Sequence, residues 1–351
     1  MDVNPQMIAL ARKARGLTQA DLAARVGVTQ ALLSRIEGGL RTASDELLQR
    51  LSEALHYPPS FFCQPGGTYV SGVSFLYHRK RQSVPSRLLD QIHARISIYQ
   101  MHLKRLLEAV ELPPCRIRAV DLNDFESVQD VVRSLRAAWG IPPGPIYNLT
   151  RTIEDLGGIV IPFDFGTSAV DAVSQWPPGL PPLFFVNTRF PGDRLRFTLA
   201  HELAHVVLHQ EEPHPGMEAE ADQFAAELLM PERDIKPYLV KVDLPTLANL
   251  KLQWKVSMAA LLKRASDLGT ITENQARWLW QKMAKAGYRR REPPELDIPP
   301  EEPTLFHEII EAYRVGMGYT DKELASLLHL HEDEVRHLYG SRAASHLRIV
   351  K

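Results

Sequence analysis

The chain has 351 residues, 44% hydrophobic and 24% charged, with a net charge of −1. That length exceeds one ordinary domain, so two to three globular domains are expected. The near-neutral total gives no global sign of nucleic-acid binding, and local charge has to be read instead. The longest apolar runs fall far short of a membrane span, and the opening Met1-Asp-Val-Asn-Pro5 lacks a signal peptide's basic flank and apolar core. Two isolated cysteines, Cys63 and Cys115, exclude a disulfide framework and suit a reducing compartment. A cytoplasmic protein is expected.

Residues 5–62 carry four short helical patterns. The first, Met7 to Ala14, is closed by Gly16. The second opens at Thr18, with Asp21 as its capping partner, and stops at Gly27. The third opens at Thr29 and ends before Gly38-Gly39, and the fourth runs from Ser44 to about Leu55. Two helices joined by a short Gly-containing turn form a helix-turn-helix. The string Thr18-Gln-Ala-Asp-Leu-Ala-x-x-Val-Gly-Val-Thr-Gln-x-x-Leu-Ser-Arg-Ile-Glu-x-Gly resembles the phage-repressor (Xre-type) family over roughly the first 65 residues. By that resemblance Thr29 to Arg35 would enter the major groove of double-stranded operator DNA. Gln30 and Arg35 would meet base edges, with Ala31 and Ser34 beside them, and Gln19 would sit on a phosphate. Arg12 and Glu37 resemble the family's internal ion pair.

Residues 67–120 read as a basic helical connector, with Val70 to Tyr77 as a short strand and a long helix from about Ser86 to Val110. Its Arg79-Lys80-Arg81 cluster fits either a solvated face or extra phosphate contacts. Residues 121–240 read as an α+β domain. Helices are expected from about Asp124 to Trp139 and from Asn148 to Leu156, and strands at Ile159–Ile161, Ala169–Ser174 and Leu183–Val186. A long helix then carries His201-Glu-Leu-Ala-His205, and a second helix runs from Met217 to Met230.

Residues four apart share a helix face, so His201 and His205 can point into one space while Glu202 lies beside it. Two neutral imidazoles with a neighbouring carboxylate are what zinc-assisted hydrolysis needs. A hydrolytic zinc takes a third protein ligand and keeps one open position. Glu218 and Glu220 both qualify. Ala221, Phe224, Ala225, Leu228 and Leu229 mark the buried stripe of their helix. At about 100° per residue, Glu218 lies roughly 55° from the stripe's centre and Glu220 roughly 105°. Glu218 is favoured, with Glu220 as the alternative. Asp222 can hydrogen-bond a ligand histidine from behind. His209, His214 and Tyr238 are candidates for stabilising an oxyanion.

The combination Arg196-Phe-Thr-Leu-Ala-His-Glu-Leu-Ala-His with Glu218-x-Glu-Ala-Asp-x-Phe-Ala-Ala-Glu-Leu-Leu-Met-Pro231 resembles the ImmA/IrrE metallopeptidases. Gly144-Pro-Ile-x-Asn-Leu, Val170-Asp-Ala-Val-Ser and Leu250-Lys-x-x-Trp-x-Val-Ser-Met-x-Ala-Leu fit the same family, so the resemblance covers roughly 125–290. It implies a zincin-like fold with a short sheet against the active-site helix. It also implies a peptidase that acts on repressor proteins in prophage, mobile-element or stress circuits.

Residues 241–292 read as a helical extension, and 293–303, rich in Pro and Glu, as a semi-rigid linker. Residues 304–351 read as a small helical unit. Shifted by 302 positions it echoes the first module, Thr320 to Gly340 against Thr18 to Gly38. Its acidic Glu332-Asp-Glu334 would repel phosphates, so it reads as a helix-turn-helix-like unit for packing or protein contact rather than for DNA reading.

The fold expected is multidomain and mostly α, with an N-terminal all-α module over 1–66, a central α+β zincin-like domain and a helical C-terminal region. The function expected is a DNA-binding regulator whose zinc peptidase, with Glu202 as base, cleaves a repressor. The alternative is a non-proteolytic transcription factor or antitoxin whose zincin fold senses metal, ligand or partner. Repressors of the Xre type dimerise to read two half-sites, but no heptad marks where a homodimer would form.

Overall fold

The computed structural model describes residues 2–65, 84–210 and 214–340. The expected strand at Val70–Tyr77 and the Arg79-Lys80-Arg81 cluster lie outside the described residues. The helices in chain order are α1 (Pro5–Ala14), α2 (Gln19–Arg25), α3 (Gln30–Glu37), α4 (Asp45–Leu55), α5 (Ser86–Leu106), α6 (Val128–Ala138) and α7 (Leu149–Asp155). Strands β1 (Ile159–Pro162), β2 (Ala172–Gln175) and β3 (Leu183–Val186) follow. Then come α8 (Gly192–Leu208), α9 (Met217–Leu229), α10 (Glu232–Ile235), α11 (Leu244–Trp254), α12 (Met258–Asp267) and α13 (Glu273–Lys285). The last are α14 (Leu305–Glu311), α15 (Asp321–Leu328) and α16 (Glu332–Tyr339). Among the described residues the chain is mostly helical with one small sheet.

The described residues of Met1–Ser71, Arg79–Leu112 and Leu305–Lys351 form one compact unit, and those of Pro113–Thr304 form a second. In the first unit, local signals set the helix ends. Thr18 and Asp21 form a reciprocal capping box, and Thr29 and Ser44 cap α3 and α4 through the amides of Leu32 and Leu47. Gly27 takes the left-handed conformation (φ 66°) that the turn between α2 and α3 requires. Met7, Ile8, Leu22, Leu33, Ile36, Leu51, Phe61 and Phe62 fill the core.

Residues 305–340 pack onto these N-terminal helices, although more than two hundred residues separate them from α4 in the chain. The acidic start of α16 is used here: Glu334 pairs with Arg15, and Asp333 lies 2.8 Å from His56 Nε2. Tyr313 donates to the Leu106 carbonyl (2.8 Å), and the Tyr339 hydroxyl lies 2.6 Å from His102 Nδ1. The internal echo is structural as well as textual. Thr320 and Glu323 repeat the Thr18–Asp21 capping box. His329, the counterpart of Gly27, takes the same left-handed turn at φ 53°.

In the second unit the strand order is β1-β3-β2. β1 runs parallel to β3 with Val160 opposite Phe184, and β2 runs antiparallel to β3 with Ser174 opposite Phe184. β3 is therefore central and β2 lies at an edge. Leu183, Phe184 and Phe185 are fully buried, as expected for a strand covered on both faces. α8 packs against β2 and β3, α9 packs against α8 and α6, and α7 packs against α8 and β1. The Pro- and Glu-rich stretch is anchored to this unit. Glu301 pairs with the buried Arg196 of α8 and accepts from the Leu149 and Thr150 amides at the start of α7. Gly192 donates to the Ile298 carbonyl (3.0 Å), and any side chain at Gly192 would strike the Pro299 carbonyl. No helix among the described residues is long and apolar enough to cross a membrane.

Candidate metal centre and DNA-reading surface

α8 is buried on almost every side. Leu199, Ala200, Leu203, Ala204, Val206 and Val207 are all at most 3% exposed, the state of a helix that runs through a domain core. Arg196 locks its first half by donating to the carbonyls of Ile146 (2.6 Å) and Lys255 (3.1 Å). Lys251, also buried, holds Asp193 (2.5 Å) and Glu292 (2.6 Å). A helix fixed this firmly presents His201 and His205 in one orientation.

The two Nε2 atoms of His201 and His205 lie 3.1 Å apart. Glu218, arriving from α9, brings Oε1 to 3.4 Å from His205 Nε2 and Oε2 to 3.7 Å from His201 Nε2. Zinc bonds of about 2.0–2.1 Å at the tetrahedral angle put ligand atoms about 3.3 Å apart. The three observed separations bracket that figure, so the donor set fits a tetrahedral metal with one position left over. The other nitrogens face outward. His201 Nδ1 lies 2.8 Å from Asp222 Oδ1, and His205 Nδ1 lies 2.9 Å from His209 Nδ1.

Glu220 does not join this cluster. Its Oε2 lies 3.0 Å from His209 Nε2 and 3.7 Å from His214 Nε2. Two positions along α9 rotate the side chain by about 200°, which is why Glu218 and Glu220 serve different neighbours. His209 faces His205 and Glu220, His214 stands half in solvent, and the Tyr238 ring packs edge-on to Trp254.

Glu202 is 3% exposed. Its Oε2 accepts from the Ser174 amide (2.8 Å) and hydroxyl (2.6 Å). One carboxylate oxygen is thus fixed by the edge strand β2. Ser174 was not singled out from the sequence, although it closes the Val170-Asp-Ala-Val-Ser motif. Burial opposes charge on His201, but Asp222, Glu202 and Glu218 outweigh it and raise the ring above its ordinary pKa. Desolvation pushes His209 down to about 4, against the pull of Glu220.

In the first unit, Gln30, Ala31, Ser34 and Arg35 all stand exposed on α3, while Leu33 and Ile36 are buried beneath them. Gln30 Nε2 donates to Gln19 Oε1 (2.9 Å), and Gln19 Nε2 donates to Glu37 Oε2 (2.8 Å). Glu37 completes a two-pronged pair with Arg12 at 2.6 and 2.8 Å. Gln19 therefore links the outer helix face to the buried ion pair.

No curated protein matches the chain. Residues 153–266 match the family model described as the IrrE N-terminal-like domain, a metallopeptidase family, and residues 8–62 match the helix-turn-helix family model. Over those residues the chain carries a helix-turn-helix domain and an IrrE N-terminal-like domain.

Proposed function

We propose that the protein is a cytoplasmic regulator in which a zinc peptidase cleaves a repressor protein while the helix-turn-helix holds operator DNA. The observation that carries the reading is the cluster of His201, His205 and Glu218, with Glu202 set beside it and oriented from β2. His201, His205 and Glu218 would hold zinc, with Asp222 orienting His201 from behind. Bound zinc would supply Lewis acidity and an acidified water. Glu202 would take the proton of that water and return it to the leaving amine. With one oxygen held by Ser174, its carboxylate keeps one orientation. Strand addition at the edge strand β2 would bring an extended peptide past Glu202. On the DNA side, Gln30, Ala31, Ser34 and Arg35 would read bases and Gln19 a phosphate. A homodimer would read two half-sites.

The test incubates the zinc-loaded protein with candidate helix-turn-helix repressor proteins, starting with any encoded beside its own gene. Cleavage is expected, with loss on chelation and in Glu202→Gln. Arg35→Ala should weaken operator binding by about 1–3 kcal/mol and leave cleavage of the free repressor intact. If Glu202→Gln regulates as the wild type does, the non-proteolytic sensor or antitoxin reading replaces this one.

A further inference from the structure

We propose that the end of α13 and the turn after it form a second grip on duplex DNA, one that holds phosphates and reads no sequence. The inference stands apart from the metal site and from the base-reading role proposed for α3. Residues 274–291 hold six cations, Arg277, Lys282, Lys285, Arg289, Arg290 and Arg291, and no acidic residue. The whole chain carries −1, so the rest of it is net acidic. Ala276, Leu279 and Met283 bury one side of α13. At about 100° per residue, Trp278, Lys282 and Lys285 fall within roughly 60° of one another on its exposed side. Gly287 then takes a left-handed turn (φ 78°), and the Tyr288 amide donates back to the Met283 carbonyl (2.9 Å). The Arg290 and Arg291 amides donate to the Gly287 carbonyl at 3.0 and 3.2 Å. These bonds fold the arginine run into a compact turn at the end of the helix.

Most of these cations are not used inside the protein. Arg291 pairs with Asp297, and Arg277 meets Asn274 (3.5 Å). Among the described residues Lys282, Lys285, Arg289 and Arg290 form no ion pair, and all four are exposed. Asp243 lies in the field of Lys282, but its carboxylate caps α11 through the Thr246 amide (2.8 Å). Two rings hold the cations in place. Lys282 Nζ lies 3.7 Å from the centre of the Trp278 ring, and the Arg289 guanidinium lies 5.6 Å from that of Trp280. Stabilising a helix end accounts for Lys282 and Lys285, which sit in the last turn. It does not account for Arg289 and Arg290 beyond it. Like charges this close repel one another, and a polyanion relieves the repulsion. Arginine also takes phosphate oxygens in two-pronged pairs. An acidic protein is the poorer fit, because protein interfaces centre on apolar groups with few charges. Trp278, 52% exposed, is the large apolar side chain on this face, and Lys282 already lies over its ring. The same chain carries a helix-turn-helix domain, which makes duplex DNA the polyanion at hand.

The experiment follows binding of the full chain to a fluorescent random-sequence duplex by anisotropy, over a series of salt concentrations. Each phosphate neutralised steepens the fall of log affinity with log salt by about 0.9. Replacing Lys282, Lys285, Arg289 and Arg290 together by Gln should make that slope shallower by about three to four. Lys282→Gln with Lys285→Gln alone should make it shallower by about two. The same changes are expected in a Gln19→Ala, Arg35→Ala background, because α3 is not their source. Arg289→Lys with Arg290→Lys keeps the charge and should keep the slope. Zinc affinity should stay at the wild-type value throughout. An unchanged slope in the fourfold Gln variant with a wild-type melting curve, or in the Lys282→Gln, Lys285→Gln pair, would overturn the proposal and leave the patch to an acidic protein. A change that vanishes in the Gln19→Ala, Arg35→Ala background would overturn it as well, since the patch would then act only through α3. Tighter patch-dependent binding to a single strand or an RNA of the same length would remove duplex DNA as the occupant.

Discussion

In the helix-turn-helix, the side chains proposed to meet DNA stand outside an eight-residue helix, and only the scaffold beneath them is buried. In the IrrE-like domain the order is reversed. Glu202 and His205 are themselves interior groups, 3% and 4% exposed, held by partners from β2, α9 and the end of α8. The first arrangement separates recognition from stability, because an exposed Gln30 or Arg35 can change without opening the core. The second couples them, because a buried carboxylate or imidazole that loses its partner bears a desolvation cost.

The comparison can be broken by substitutions of graded effect. Glu202→Gln is expected to lower peptide cleavage by about 10²–10⁴-fold while leaving zinc content and operator affinity unchanged. A parallel loss of operator binding would show that the two chemistries are not separable. Glu37→Ala removes one partner of the Arg12 pair, whose side chains are 11% and 6% exposed. Leaving such a buried cation unpaired typically costs about 3–5 kcal/mol. The first unit should melt earlier and Gln19 should lose its anchor, so operator binding falls although none of the residues proposed to read bases has changed. Zinc affinity should stay at the wild-type value.

Ser174→Ala sharpens the other side. It removes the hydroxyl from Glu202 but keeps the amide contact. A hydrogen bond to a charged group contributes about 1.5–3 kcal/mol, so kcat should drop about 10–100-fold with little change in KM. A change in KM alone would assign Ser174 to substrate binding instead.

An acid titration tests how far buried groups also govern the first unit. His102 is fully buried, and desolvation, with Arg105 adding to it, depresses its pKa to about 3. The unfolded chain therefore takes up a proton near pH 6.5 that the folded chain refuses. The folded state loses stability as pH falls below that value. Lowering the pH from 7 to 5 should cost about 2 kcal/mol through this group. The melting temperature followed by a probe in the first unit should fall over that interval, and should fall less in His102→Asn. An equal fall in both proteins would remove His102 as the cause.

The helix-turn-helix was legible because its signals are local. Thr18 with Asp21, Thr29 and Gly27 each act within a few residues of themselves. The three ligand candidates were legible for the same reason, since helical periodicity alone separates Glu218 from Glu220 on α9. Contacts set by the sheet and by chain return were not. Ser174 reaches Glu202 only because β2 lies beside α8, a fact of strand order. His209 reads as an isolated histidine until Glu220 is seen behind it. Composition alone makes 293–303 a linker, and nothing in it tells that Glu301 meets Arg196 and the start of α7. The acidic residues of α16 were read as repelling DNA, whereas their partners Arg15 and His56 lie some three hundred residues away in the chain.

The central claim is that α8 and α9 together make a three-ligand zinc site with Glu202 kept as base. Its most direct test is the zinc content and affinity of purified wild type, Glu218→Ala, Glu220→Ala and Glu202→Gln. One zinc per chain is expected in the wild type, in Glu220→Ala and in Glu202→Gln, with loss of the metal in Glu218→Ala. Full zinc loading at wild-type affinity in Glu218→Ala, or loss of the metal in Glu202→Gln, would contradict it.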